Sequence, residues 1–137
     1  MEDFETARTL LSAAKRDLRA LCGMTDADTF AAEIFGFHTQ QVVEKCLKAW
    51  LCLKAIEYPK THNIRHLIVL LEQTGEKDAG LWEFVGLSAF AVQFRYETYE
   101  LFDEPLDRKE LMHSAKHLYS RVKHLLEEAA SLDERAT

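Results

Sequence analysis

The sequence predicts an all-α fold, an up-and-down bundle of four to five helices, on three observations. Apolar residues recur at steps of three and four along five segments, no segment keeps a period of two, and helix breakers are scarce, with five Gly and two Pro in 137 residues. With 47% hydrophobic and 29% charged residues the chain is too apolar for disorder. Its length suits one domain, expected over residues 1–130 with a loose tail at 131–137.

The elements follow in order. Phe4, Ala7, Leu11, Ala14, Leu18 and Leu21 form the stripe of a first helix over 3–22, ended by Gly23. Asp26 or Asp28 is placed to cap a long second helix from about 28 to 56, stopped by Tyr58 and Pro59. Thr61 or Asn63 caps a short third helix with Ile64, Leu67, Ile68 and Leu71 inward, closed by Gly75. A fourth is expected over 78–95 with Leu81, Trp82, Val85, Ala89 and Val92 inward. The last, over 107–130, carries Leu111, Ala115, Leu118, Val122, Leu125 and Ala129. Short connections favour antiparallel neighbours.

Composition also excludes functions. A net charge of -6 argues against a surface built throughout to neutralise phosphate. Cys22, Cys46 and Cys52 form no CxxC pair and sit in apolar helical runs, as reduced core residues do. No signal segment opens the chain and no apolar run reaches the roughly 20 residues of a membrane span, so a cytoplasmic protein with no membrane partner is expected.

The stretch FHTQQVVEKCLKAWL, residues 37–51, raises the functional question. At about 100° per residue from His38, apolar side chains cover well over half of this helix. Gln41, Glu44, Lys45 and Lys48 share one narrow sector. Such a strip is either a solvated face with Gln41–Lys45 and Glu44–Lys48 pairs, at about 0.2–0.5 kcal/mol each, or the wall of a groove or subunit interface. Between residues 37 and 66, Lys45, Lys48, Lys54, Lys60 and Arg65 stand against only Glu44 and Glu57, so positive charge gathers where an anionic ligand would dock.

Carried further, the run from Phe37 to Leu71, followed some 25 residues later by FRYETYE, resembles the HEPN family of helical domains. His38, Gln40 or Gln41, the Glu44 and Lys45 pair, Lys48, then Tyr58, Pro59, Thr61 and His62, and finally Arg95 with Tyr96 stand in the family's order. The resemblance covers about residues 3–130. It implies a homodimer of helical bundles with a groove where the second helix meets the segment around Arg95. It also implies association with nucleotides or RNA, with minimal nucleotidyltransferase partners in toxin–antitoxin pairs, and in some branches with RNA cleavage.

Those catalytic branches place a His four to six residues after the Arg, and members paired with a nucleotidyltransferase read Arg, four residues, His, one residue, Tyr. Here position 100 is Glu and position 102 is Phe, with no His before His113. Metal-independent cleavage needs a proton-transfer group at the scissile phosphate, and a Glu there repels the phosphate instead. The expectation is a noncatalytic module that binds through His38, Gln41, Glu44, Lys45, Lys48, Arg95 and Tyr96, without cofactor or metal. The rival is a ribonuclease toxin in which His38, or a residue across the dimer, replaces the missing His.

Other constellations are weaker. His62 and His66 lack a supporting carboxylate or Cys for zinc, and His62 is expected to pack at the turn after Pro59. His113, His117 and His124 fit a solvated or partly packed face. The helical spacing of Trp50, Trp82, Phe84, Phe90 and Phe94 favours core packing over base stacking.

Overall fold

The structure, a computed structural model, describes residues 3–26, 28–88 and 107–136. Its elements are α1 (Phe4–Cys22), α2 (Ala32–Leu53), α3 (Ile64–Glu72), a 3-10 helix (Ala79–Leu87) and α4 (Arg108–Ala136), with no strand among the described residues. The helical bundle expected from the apolar periodicity is what forms.

α1 starts where Asp3 accepts the Thr6 N–H at 2.9 Å, and it buries Ala7, Leu11, Ala14, Leu18 and Leu21. The Asp3 N–H donates to the Cys52 carbonyl at 3.3 Å, tying the start of α1 to the end of α2 and fixing the two as antiparallel. Arg108, at the start of α4, donates to the Met24 carbonyl at 3.0 Å and lies over the Phe35 ring, while Arg121 lies over Trp50. α4 therefore runs in the direction of α2 and against α1. α2 touches every other element, and α1 and α4 close on each other beside it. That central position explains why α2 is dry nearly all round, including Phe35, Val42, Val43, Leu47, Trp50 and Leu51. Burial of each such large side chain stabilises the fold by about 1.5–3 kcal/mol.

Several boundaries differ from the sequence reading, each for a local reason. α2 starts at Ala32 without a side-chain cap, because Asp26 is engaged in a turn of its own, accepting the Asp28 N–H at 3.0 Å and the Thr29 hydroxyl at 2.6 Å. It ends at Leu53, before Pro59, because Ala55 takes a left-handed φ of 57° and the Ile56 N–H returns to the Leu51 carbonyl at 3.0 Å. Asn63 caps α3 by accepting the His66 N–H, and the Ile64 N–H donates to the Ser88 hydroxyl at 3.0 Å.

The fourth segment is a 3-10 helix as far as Leu87. Three residues per turn put Leu81, Phe84 and Leu87 on one buried line and leave Trp82 outside, where a 3.6-residue period placed Trp82 and Val85 inward. Ala89, Phe90, Val92 and Phe94 lie outside the described residues. On α4 the core line passes through Ala115, Leu118 and Val122 and then reaches Leu126, with Leu125 half-buried. A strict seven-residue repeat drifts by about 20° per heptad on a straight helix, which carries the seam one residue over. α4 continues to Ala136, so the segment expected to be a loose tail is helical, with residues 131–135 exposed. Cys46 and Cys52 are buried as expected, but Cys22, past the last inward residue of α1, is exposed.

Candidate functional site

The polar strip of α2 is neither a wet face nor one continuous row. It divides into two centres that reach different neighbours. Toward α1, Asp17 accepts from Lys45 Nζ at 2.6 Å and from His38 Nδ1 at 2.9 Å. Lys45 thus turns to α1, and the i, i+4 partnership expected for it with Gln41 is replaced by a contact between helices. Asp17 is three residues after Ala14 and four before Leu21, on the edge of the α1 apolar stripe. That spacing was the one available signal for a role that sequence reasoning missed.

Toward α3, Glu44 is the hub. Its side chain is 6% exposed, and its carboxylate accepts from three donors: Gln40 Nε2 at 2.8 Å, His62 Nδ1 at 2.8 Å and Lys48 Nζ at 3.1 Å. A carboxylate moved out of water into such a place is tolerable only when its lone pairs are taken up in this way. Gln40, fully buried, also donates to the His62 carbonyl at 3.3 Å and accepts the Gln41 amide at 2.7 Å. The network therefore couples α2 to the chain just ahead of α3. No buried side-chain polar atom among the described residues is left without a partner.

The outer parts of the hub differ in access. The His62 side chain is 65% exposed; with Nδ1 held by Glu44, the imidazole presents Nε2 outward. The Lys48 side chain is 14% exposed and its ammonium sits 5.8 Å from the Tyr58 ring centroid. The Tyr58 hydroxyl faces Cys52 Sγ at 3.8 Å, and burial, then the Cys52 contact, pushes its pKa up, so it stays neutral. The hub is thus a fixed anion flanked by a lysine and an accessible histidine, so the Lys48 ammonium is the oriented donor that can meet a phosphate oxygen and His62 Nε2 is an accessible acceptor.

Of the residues singled out in the sequence, Gln41, Glu44 and Lys48 meet at this hub, and His38 and Lys45 meet at Asp17. Arg95 and Tyr96 lie outside the described residues. His62 was expected to pack at the turn after Pro59 and order it; its side chain is instead 65% exposed and tied to α2 only through Nδ1 on Glu44, a part in a polar centre that sequence reasoning missed. Gln40 entered only as an alternative to Gln41, and its burial was not foreseen. No group of three or more potential metal ligands occurs among the described residues. Two surface cavities lie apart from the hub. One of about 320 Å³ between the 3-10 helix and α4 is lined by Asp78, Glu83, His113, His117 and Arg121, and one of about 500 Å³ lies between α1 and α4. In the first, Arg121 is already paired with Asp78.

A helical bundle whose longest buried helix carries a satisfied acid–base cluster at its junction with a short helix is a domain built around a polar site, and its sequence assigns it further. The chain belongs to the HEPN domain family, whose model matches residues 5–126. Neither a curated protein nor a solved structure matches it significantly. Membership makes the chain a nucleotide- or RNA-related module of a family that includes ribonucleases. No helix among the described residues is long and apolar enough to cross a membrane.

Proposed function

We propose that this chain is a noncatalytic HEPN module, a homodimer that binds a nucleotide, RNA or a minimal nucleotidyltransferase partner of the toxin–antitoxin kind. The observation that supports this reading is the Glu44 hub. One buried carboxylate holds Lys48 and the exposed His62 in fixed positions, so a phosphate arriving there meets a Lys48 ammonium whose ordering cost is already met. Arg95 and Tyr96, which lie outside the described residues, enter this reading from the family resemblance alone, while His38, Gln41 and Lys45 brace the α2 face. Position 100 is Glu where the cleaving pattern has His, which is why the module is read as noncatalytic.

Titration of the pure protein with ATP and with short RNAs tests this, with Lys48→Ala, His62→Ala and Arg95→Ala alongside. Each variant is expected to bind at least about tenfold more weakly, the equivalent of one charge-assisted hydrogen bond of about 1.5 kcal/mol. Equal weak binding by all four proteins removes the site.

One observation favours a second reading. Glu44 orients His62 as a carboxylate orients a catalytic imidazole, so His62, beside Lys48, is better placed than His38 to replace the proton-transfer group of a metal-independent ribonuclease. His38 is held by Asp17 in the same manner, but its side chain is 28% exposed against 65% for His62. RNA cleavage in the presence of chelator, abolished by His62→Gln with RNA affinity retained, would establish the enzyme; intact RNA after prolonged incubation retains the binding module.

A further inference from the structure

Trp82 breaks the rule that organises the rest of the chain. Among the described residues it and Leu132 are the large apolar side chains left exposed, and Leu132 belongs to the projecting end of α4, whereas Trp82 stands on the body of the domain, 38% exposed. Its single polar atom is taken: indole Nε1–H donates to Glu72 at the end of α3 at 2.6 Å. The Arg65 guanidinium, also from α3, sits 6.0 Å from the ring centroid, and among the described residues Arg65 makes no ion pair. The indole is thus pinned at its edge and flanked by a guanidinium with no carboxylate partner among the described residues, yet more than a third of it is exposed. Glu83, the next residue, lines the cavity toward α4 and so is directed to another side of the 3-10 helix.

We propose that Trp82 is a stacking platform for a base of single-stranded RNA, with Arg65 contacting the adjoining phosphate and the strand running toward His62 and Lys48. This rests on the reading of the chain as a nucleotide- or RNA-binding module and names the ligand within it. A free nucleotide carries all its phosphates on one side of a single base. Here the exposed cations Lys60 and Arg65 stand five residues apart with the exposed His62 between them, so positive charge is offered at more than one point, as a strand with a phosphate at every nucleotide requires. The pre-fixed ring means that stacking orders no further side chain, and base–aromatic stacking tolerates any sequence because every base has a π-face.

The fluorescence of the intact chain reads this site directly. Trp50 is buried under Arg121, so quenching by an added ligand reports Trp82. Oligo(U), oligo(A) and ATP are titrated into wild type, Trp82→Ala, Trp82→Phe, Arg65→Gln and Lys48→Ala, with affinity followed by anisotropy or competition and by its salt dependence. Both oligonucleotides are expected to quench wild-type fluorescence. Trp82→Ala should weaken RNA binding about 5- to 100-fold with an unchanged salt slope, and Trp82→Phe should restore most of the affinity. Arg65→Gln should lower the salt slope by about 0.7, one phosphate on a single strand. RNA binding that depends on Lys48 but is within twofold of wild type in Trp82→Ala overturns the platform and leaves the module reading intact. Tight ATP binding with no RNA quenching also overturns it, as does quenching by a protein partner alone. No binding of any nucleotide by wild type removes both readings. If Trp82→Ala fails to fold, wild-type quenching and the Trp82→Phe affinity decide alone.

Discussion

Replacing Glu44 with Gln changes few atoms, and the structure sets what it should cost. The carboxylate accepts three hydrogen bonds; the amide keeps one oxygen to accept and turns two N–H groups into a place already supplied with donors from Gln40, His62 and Lys48. The Lys48 ammonium then loses its only carboxylate partner among the described residues while 14% exposed, and retains the face of the Tyr58 ring. Losing a hydrogen bond to a charged group costs about 1.5–3 kcal/mol, and breaking a fully buried ion pair costs about 3–5 kcal/mol. Lysine can lift its head toward water on its long stem, so about 2–3 kcal/mol is expected, or a fall in Tm of roughly 10 °C. The assay is urea unfolding at fixed protein concentration of wild type, Glu44→Gln, Lys48→Met and the double variant. The coupling between the two sites should be at least about 1 kcal/mol, against the 0.3–0.5 kcal/mol of a wet i, i+4 pair. A coupling at or below about 0.5 kcal/mol would show that the Glu44–Lys48 pair is an ordinary surface contact and refute the hub.

Other perturbations test other parts of the fold. Asp17→Asn removes the shared acceptor of His38 and Lys45 and should cost about 1–2 kcal/mol in the same unfolding assay, with Lys45→Met nearly as damaging; a change within error would mean that the α1–α2 contact does not need that charge. Burial pushes the thiols of Cys46 and Cys52 up and keeps them protonated, so iodoacetamide at neutral pH should label Cys22 alone in the native protein and all three residues in urea, as read by mass spectrometry. Hydrogen bonds from Thr6, side chain first and backbone second, hold the Asp3 carboxyl below its ordinary 3.8. Because the folded value is the lower one, the cap is complete above pH 3.8 and is lost as pH falls through the folded value. Thr6 amide-exchange protection, corrected for intrinsic rate, should therefore drop on acidification in wild type and not in Asp3→Asn.

The parts of the fold that were legible in the sequence are those set by contacts within one element. The α1 stripe came through unchanged, and of the two caps offered for α3, Thr61 or Asn63, the structure uses Asn63. The 3-10 helix was misread because its period differs from 3.6 by too little to register over nine residues, yet by enough to exchange Phe84 for Trp82 in the core. The site was half legible for the same reason. Helix angles put Gln41, Glu44, Lys45 and Lys48 on one strip, but which of them face α1 and which face α3 is decided by the packing of neighbours. Asp17 and His62, from elsewhere in the chain, are the residues that divide the strip. Gln40 was discounted because an amide carries no apolar signal, although it sits where only a fully bonded polar group can remain.

The Glu44 hub also constrains how this domain can change over time. The atoms that would greet a ligand are the same atoms that fasten the chain ahead of α3 onto the central helix, so affinity and foldedness draw on one set of bonds. A lineage that retunes recognition here must first find a new way to lock that junction, whereas changes around Trp82, whose partners lie at the rim, are free to explore.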